Sequence, residues 1–183
     1  MITIIHGSHR QGYCWEIVKE FQAQFEKNHI ETAIVDLSSA SFHPCCGSQA
    51  CQEGDCVYMH DEFSEIIKNQ ILQADGIYVV TPTYFNMPPA KLKNFIDRTN
   101  ALLPVLGRME KKPIFGIYAC GEAGMQSIGD NIRLLTDYSA IMGWDSIERL
   151  NIAECITDTT VVDITKITEI ANYIVEELQL KGE

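Results

Sequence analysis

The chain has 183 residues, 46% of them hydrophobic, and a formal net charge of −11. That length suits one domain, and that apolar fraction supports a packed core and excludes a disordered chain. The excess of carboxylates repels nucleic acid and anionic lipid, so neither is an expected partner. No apolar run reaches transmembrane length. The first residues enter a strand-like segment without a basic leader, so the expected compartment is the cytoplasm, where thiols stay reduced.

In chain order, Ile2–His6 reads as a strand. Gly12–Asn28 comes next as a helix with Trp15, Ile17, Val18, Phe21 and Phe25 on one face. Thr32–Asp36 is a second strand, and residues 37–60 carry no periodicity. Asp61–Ala74 is a helix capped by Asp61, Gly76–Thr81 a third strand, and Pro89–Leu103 a helix with Pro at its first turn. Pro113–Ala119, Gln126–Met142 ending at Gly143, Trp144–Ala153 and Asp163–Leu180 complete the alternation as strand, helix, strand and helix. Near-continuous apolar strands imply a parallel sheet buried on both faces, with right-handed crossovers. Such sheets bind ligands beyond the carboxyl ends of their strands, near the switch in strand order. The segments after His6, Val80 and Ala119 are therefore the candidates.

After the first strand, Gly7-Ser8-His9-Arg10-Gln11-Gly12-Tyr13-Cys14 enters a helix. A small, polar loop at a helix start offers free N–H groups and the positive end of the helix dipole to an anion; Ser8 adds a hydroxyl and Arg10 a charge. The Lys-Ser/Thr ending of an ATP loop is missing, and so is a dinucleotide fingerprint. After the third strand, Thr81-Pro82-Thr83-Tyr84-Phe85-Asn86-Met87-Pro88-Pro89 offers a stiff turn with two aromatics, a seat for a planar ring. After the fourth, Cys120-Gly121-Glu122-Ala123-Gly124 lets the backbone approach a ligand. Each segment alone also reads as an ordinary turn; their shared sheet edge is what singles them out. Lys91, Lys93, Asp97 and Arg98 read as a solvated helix face, Trp15 and Trp144 as core, and Cys14 and Cys155 as apolar fillers.

These residues resemble the flavodoxin-like NAD(P)H-dependent FMN reductases, including their iron–sulfur flavoprotein branch. Gly7-Ser8-His9-Arg10 is similar to the family's opening loop, Thr81-Pro82-Thr83-Tyr84-Phe85-Asn86 to its second segment, and Lys93-Asn94-Phe95-Ile96-Asp97-Arg98 to the helix after it. The resemblance implies a flavodoxin-like three-layer sandwich with a five-stranded parallel sheet in the order 2-1-3-4-5, one FMN-binding domain over residues 1–183. It implies FMN held at its phosphate by Ser8, Arg10, Gln11, Gly12, Tyr13 and Cys14. The ring would sit on Pro82, Thr83, Tyr84, Phe85 and Asn86, with Cys120, Gly121 and Gly124 on its other side. Tyr13-Cys14 stands where the family often has Asn-Thr, at a cost of about 1 kcal/mol for one lost hydrogen bond.

Seven cysteines are present, four of them in one loop: Cys45, Cys46, Cys51 and Cys56. In a reducing compartment that pattern points to metal, cluster or redox chemistry before disulfides. Cys45, Cys51 and Cys56 fall on positions of the iron–sulfur branch, Ser48 stands at its second cysteine, and Cys46 is extra. Three thiolates fall short of a cluster's four, and zinc would need His43 or His60. The expectation is a loop with neither cluster nor metal.

The resemblance further implies NAD(P)H as a transient electron donor, a small acceptor such as flavin or quinone, no catalytic side chain, and a homodimer or homotetramer. An electron-transfer flavoprotein without NAD(P)H activity, a receiver-like signalling domain, a zinc-binding interaction protein and an iron–sulfur or zinc-binding flavoprotein are the alternatives. The second lacks the acidic pair that would hold Mg²⁺ after the first strand.

Overall fold

Along β1 (Ile2–His6), Ile2 and Ile4 pack on one side of a sheet and Ile5 on the other, and all five residues are buried. That is the pattern of a strand covered on both faces. The computed structural model describes residues 1–53, 60–103, 113–122 and 124–182. The remaining strands are β2 (Thr32–Asp36), β3 (Gly76–Pro82), β4 (Ile114–Gly121), β5 (Asp145–Ser146) and β6 (Ile152–Cys155). All pair in parallel in the order β2-β1-β3-β4-β5, with β6 also on β4. This is the flavodoxin-like order expected from the sequence, with the direction of winding reversing between β1 and β3.

Two apolar layers flank the sheet. On one side, α1 (Tyr13–Lys27) and α5 (Ile164–Gly182) bury Ile17, Phe21, Ile167 and Ile174 with Ile4, Tyr78 and Tyr118. On the other, α2 (Glu62–Ile66), α3 (Ala90–Arg98) and α4 (Met125–Ile141) bury Phe63, Phe95, Ile128 and Leu135 with Ile5, Val79 and Ile117. Each such side chain contributes about 1.5–3 kcal/mol of burial. No helix among the described residues is long and apolar enough to cross a membrane.

Three elements differ from the sequence pattern. The helix expected over Asp61–Ala74 is α2 continued by a π turn, Ile67–Ile71, closed by Leu72 N–H donating to Ile67 O at 2.9 Å. The wider turn keeps Ile66, Ile67 and Ile71 all buried and lets Gln70 O accept from the Thr3 hydroxyl at 2.6 Å. The helix expected to run to Leu103 tightens after α3 into a 3₁₀ turn, Thr99–Leu102. The Thr99 hydroxyl donates to Ile96 O there, the back-bonding that draws Thr away from regular helix.

The fifth strand is split. Ile114 and Phe115 pair with β5, Tyr118 to Gly121 pair with β6, and a 3₁₀ turn, Glu148–Leu150, lies between. Leu150 is buried there, and its carbonyl accepts the Tyr78 hydroxyl at 3.0 Å. Gly116 makes room: a Cβ at that position would lie 2.7 Å from the Tyr78 ring and 2.8 Å from Leu150 Cβ. A strand glycine thus marks a close approach. Gly116→Val should destabilise the protein by about 1–3 kcal/mol through overpacking, read as a lower urea midpoint with an unchanged slope. An unchanged midpoint would show that the ring and turn yield without cost.

Candidate functional site

At the carboxyl ends of β1, β3 and β4, three segments enclose a cavity of about 480 Å³, within the roughly 300–1,000 Å³ of typical cofactor sites. Ser8, Arg10, Gly12, Tyr13 and Cys14 line it from the first segment, Pro82 to Asn86 from the second, and Cys120 and Gly121 from the third. Glu122 and Ile156 join them. Gln11 and Gly124 stand outside the lining. Gln11 Nε2 donates to Asp36 Oδ2 at 3.1 Å, and Gly124, with φ 86°, precedes α4.

The first segment turns tightly into the start of α1. Gly12 begins α1 with no side-chain cap, and Trp15 N–H already donates to Gly12 O, which leaves the Tyr13 and Cys14 N–H groups for a ligand or water. Ser8 is buried, its hydroxyl accepts from Arg10 N–H at 3.3 Å, and Gly12 N–H donates to Arg10 O at 3.1 Å. Behind this turn, His6 Nδ1 donates to Asp36 Oδ1 at 2.7 Å, and the His6 ring packs on Trp15 at 5.1 Å. Burial alone would raise the Asp36 carboxyl; hydrogen bonds from His6, Ser38 and Gln11 outweigh it and hold the group well below the usual carboxylate range.

The second segment folds as a tight turn. Tyr84 and Met87 exchange backbone hydrogen bonds at 3.0 Å each way, with Phe85 at φ 49° and Asn86 at φ 63°. Two positive φ values define a mirror-image hairpin turn, which suits Asn and strains Phe by about 1–2 kcal/mol. Phe85 is 97% exposed at the tip. Below it, Asn131 on α4 is fully buried and donates Nδ2 to Thr83 Oγ1 at 3.0 Å and Pro82 O at 3.4 Å. Asn131 was invisible as a site residue because nothing in its helical neighbourhood marks it; only the fold sets it under Thr83.

The third segment lies close to the second: a Cβ on Gly121 would sit 3.3 Å from Thr83 Cβ. Cys120 and Cys14 are both buried, with their sulfurs 3.4 Å apart. Beside them, Glu154 Oε2 accepts the hydroxyls of Tyr13 at 2.9 Å and Tyr118 at 2.6 Å, and Lys166 Nζ lies 3.6 Å from its other oxygen. Burial, then the bonds to this carboxylate, push both phenols far above their ordinary value. Cys155, expected as an apolar filler, is exposed, being the last residue of β6.

In the cysteine loop, Cys45 and Cys46 are exposed, and Cys51 Sγ accepts from Asn100 Nδ2 at 3.0 Å. Ser48 Oγ accepts from Ala50 N–H at 3.4 Å. Cys56 lies outside the described residues. Among the described residues no three His, Cys, Asp or Glu side chains converge as metal ligands. Arg98 holds the chain just before this loop through His43 O. Expected on a solvated face, it is buried instead, because Leu92, Phe95 and Arg98 repeat at three-residue spacing on the inner side of α3. Its guanidinium grips Asp61 at 2.7 and 3.1 Å, donates to His43 O at 2.7 Å and covers the Phe63 ring. Asp61 also caps α2 by accepting from Phe63 N–H.

The profile of the NADPH-dependent FMN reductase family matches residues 1–143. An iron–sulfur flavoprotein of Methanocaldococcus jannaschii is 33% identical over 119 residues, 64% of this chain and 60% of that protein. Another, from Methanosarcina thermophila, is 34% identical over 99 residues, 54% of this chain and 51% of that protein. The chain thus spans about half the length of the curated relatives it matches. Among solved structures, an apo NADH:FMN oxidoreductase superposes with a TM-score of 0.67 at 16% identity, covering 96% of this chain and 88% of that one. An archaeal flavodoxin superposes with 0.61 at 13% identity, covering 98% and 99%. At these identities the superpositions show the shared fold.

Burial raises the Asp61 carboxyl, but the bonds from Arg98 and from His43 and Phe63 N–H prevail and lower it. A depressed folded pKa contributes stability above the unfolded value of about 3.9, and that stability is lost as pH falls through the folded value. The urea midpoint should therefore drop as pH falls below about 4. Asp61→Asn should lower stability by about 3 kcal/mol at neutral pH, by leaving Arg98 buried without its counter-charge, and should weaken the acid dependence. A variant as stable as the parent at neutral pH would contradict this account.

Proposed function

The chain belongs to the NADPH-dependent FMN reductase family, and from that premise we propose that it binds FMN at the carboxyl edge of its sheet. There it acts as an oxidoreductase, taking electrons from NAD(P)H and passing them to a small acceptor such as a flavin or quinone. The observation that carries this reading is the uncapped start of α1 beside Arg10, opening into a cavity whose opposite wall is Pro82 to Asn86. The first feature takes a phosphate and the second takes a planar ring, and both end on one chamber of suitable volume.

In this reading Ser8, Arg10 and the Gly12–Cys14 turn hold the phosphate. Gln11 acts one step back, anchoring the loop to Asp36. Pro82 to Asn86 seat the ring, held from behind by Asn131. Cys120 and Gly121 close the other side with Glu122 and Ile156, while Gly124 sets the start of α4. Bound FMN supplies hydride acceptance and a two-electron store. The protein orients it, excludes water from its face and needs no side-chain acid or base for hydride arrival. Tyr13 and Tyr118, held protonated beside Glu154, act as fixed hydrogen-bond donors rather than proton carriers at neutral pH. Exposed Tyr84, Phe85 and Met87 form an apolar rim at the cavity mouth, which supports burial by a second copy in a homodimer or homotetramer. Sedimentation of the FMN-loaded protein as a monomer would contradict that assembly.

The test is to load anaerobically purified protein with FMN, remove the excess by gel filtration and add NADPH. Retention of a two-banded flavin spectrum that bleaches with NADPH is expected. A retained flavin that does not bleach would leave FMN binding intact and assign the chain to electron transfer without NAD(P)H activity. Loss of all flavin would overturn the proposal. Arg10→Ala should raise the FMN dissociation constant by about tenfold or more, the worth of a hydrogen bond to a charged group, read by quenching of flavin fluorescence. An unchanged constant would remove Arg10 from the phosphate seat.

A further inference from the structure

Cys14, in the first turn of α1, and Cys120, next to last in β4, come from positions 106 residues apart and bring their sulfurs within 3.4 Å. Both are free thiols and both line the cavity. Both belong to the apolar layer on the α1 side of the sheet, yet an apolar filler has no need of a second sulfur as its partner. The hydrogen bond to Cys120 and then burial push the Cys14 thiol well above its ordinary value. Cys14 therefore keeps its proton at neutral pH, and the two sulfurs share one hydrogen bond. A disulfide needs its sulfurs at about 2.0 Å, roughly 1.4 Å closer than they stand. One of the two lies in a first helical turn that no side-chain cap restrains.

We propose that Cys14 and Cys120 are a redox pair, oxidised to a disulfide by a small hydroperoxide that enters the cavity and reopened by a reduced flavin in the same cavity. In the first step the Cys120 sulfur attacks hydrogen peroxide, the O–O bond breaks, the thiol proton passes to the departing hydroxide, and a sulfenic acid and water result. The second thiol then displaces the sulfenic oxygen as water and forms the S–S bond. Two thiols and one peroxide thus give one disulfide and two waters. In the return direction a two-electron reduced flavin passes two electrons and two protons to the disulfide, giving two thiols and oxidised flavin. The return step rests on the FMN reading; the peroxide step does not.

The test uses the full chain, with and without bound FMN. Exposed thiols are first blocked with N-ethylmaleimide under native conditions. Hydrogen peroxide is added, and the cysteine peptides are mapped by mass spectrometry. A Cys14–Cys120 linked pair, two hydrogens lighter than the separate peptides, should become the main product with or without FMN. It should be absent from Cys14→Ser and Cys120→Ser. Anaerobic photoreduction with EDTA should return both thiols in the FMN-loaded protein and leave the disulfide intact in the FMN-free one. Recovery of Cys14 and Cys120 as separate thiols or as sulfonic acids after peroxide would overturn the proposal whatever the flavin does. A disulfide that survives after bound FMN has bleached would overturn the flavin step. A chain that makes the disulfide yet retains no FMN would sink the FMN reading and the flavin step together, and would uphold the peroxide step.

Discussion

Two backbone hydrogen bonds that carry the sheet past its strand ends hold the site together. Gly7 N–H donates to Val80 O at 2.8 Å, and Thr83 N–H donates to Cys120 O at 2.7 Å. They tie the three segments to one another before any side chain acts. Their closeness limits what can stand there. A Cβ on Gly7 would come within 2.8 Å of the Leu92 side chain and 3.0 Å of Thr81 Oγ1. Gly7 is thus required by packing of the scaffold, and Gly121 performs a similar service against Thr83. The cavity is the space left where these short, bonded loops diverge, which is why its walls come from residues far apart in sequence.

The parallel sheet was legible because burial on both faces favours apolar residues along a strand, as in β1 and β3, and these strands and the half-buried β2 lie within one residue of their expected ends. The three loops were legible for the same reason: in a parallel sheet, the segments leaving the strands all emerge at one edge. Periodicity failed where tertiary contacts set the local geometry. The π turn answers to Thr3 on a neighbouring strand, and the split after β5 answers to the Tyr78 ring beneath Gly116. Arg98 was misread by its charge, although its spacing with Leu92 and Phe95 already placed it on the inner face. Glu154, Ile156 and Asn131 reach the site from elements that no loop motif announces.

The overall charge of −11 gives no hint of an anion seat. Distant surface carboxylates are screened within about 8–10 Å at ordinary salt, whereas the α1 amides and Arg10 act at contact. Two carboxylates close to the loops are also quieted locally: Asp36 accepts from His6 and Gln11, and Glu154 accepts from two phenols with Lys166 beside it, while Glu122 lines the cavity itself. Burial and the carboxylate of Glu154 keep both tyrosines protonated, and beside that carboxylate two thiols stand in contact at the cavity wall.

The central claim is that the start of α1 recognises a phosphate and that this fixes the flavin. Its most direct measurement is the ratio of dissociation constants for FMN and riboflavin, titrated by fluorescence quenching at fixed salt. The account predicts FMN tighter by about a hundredfold or more, or roughly 2.7 kcal/mol from the phosphate alone, with the advantage shrinking as salt rises. Riboflavin bound as tightly as FMN would contradict it, because the anion seat would then contribute nothing.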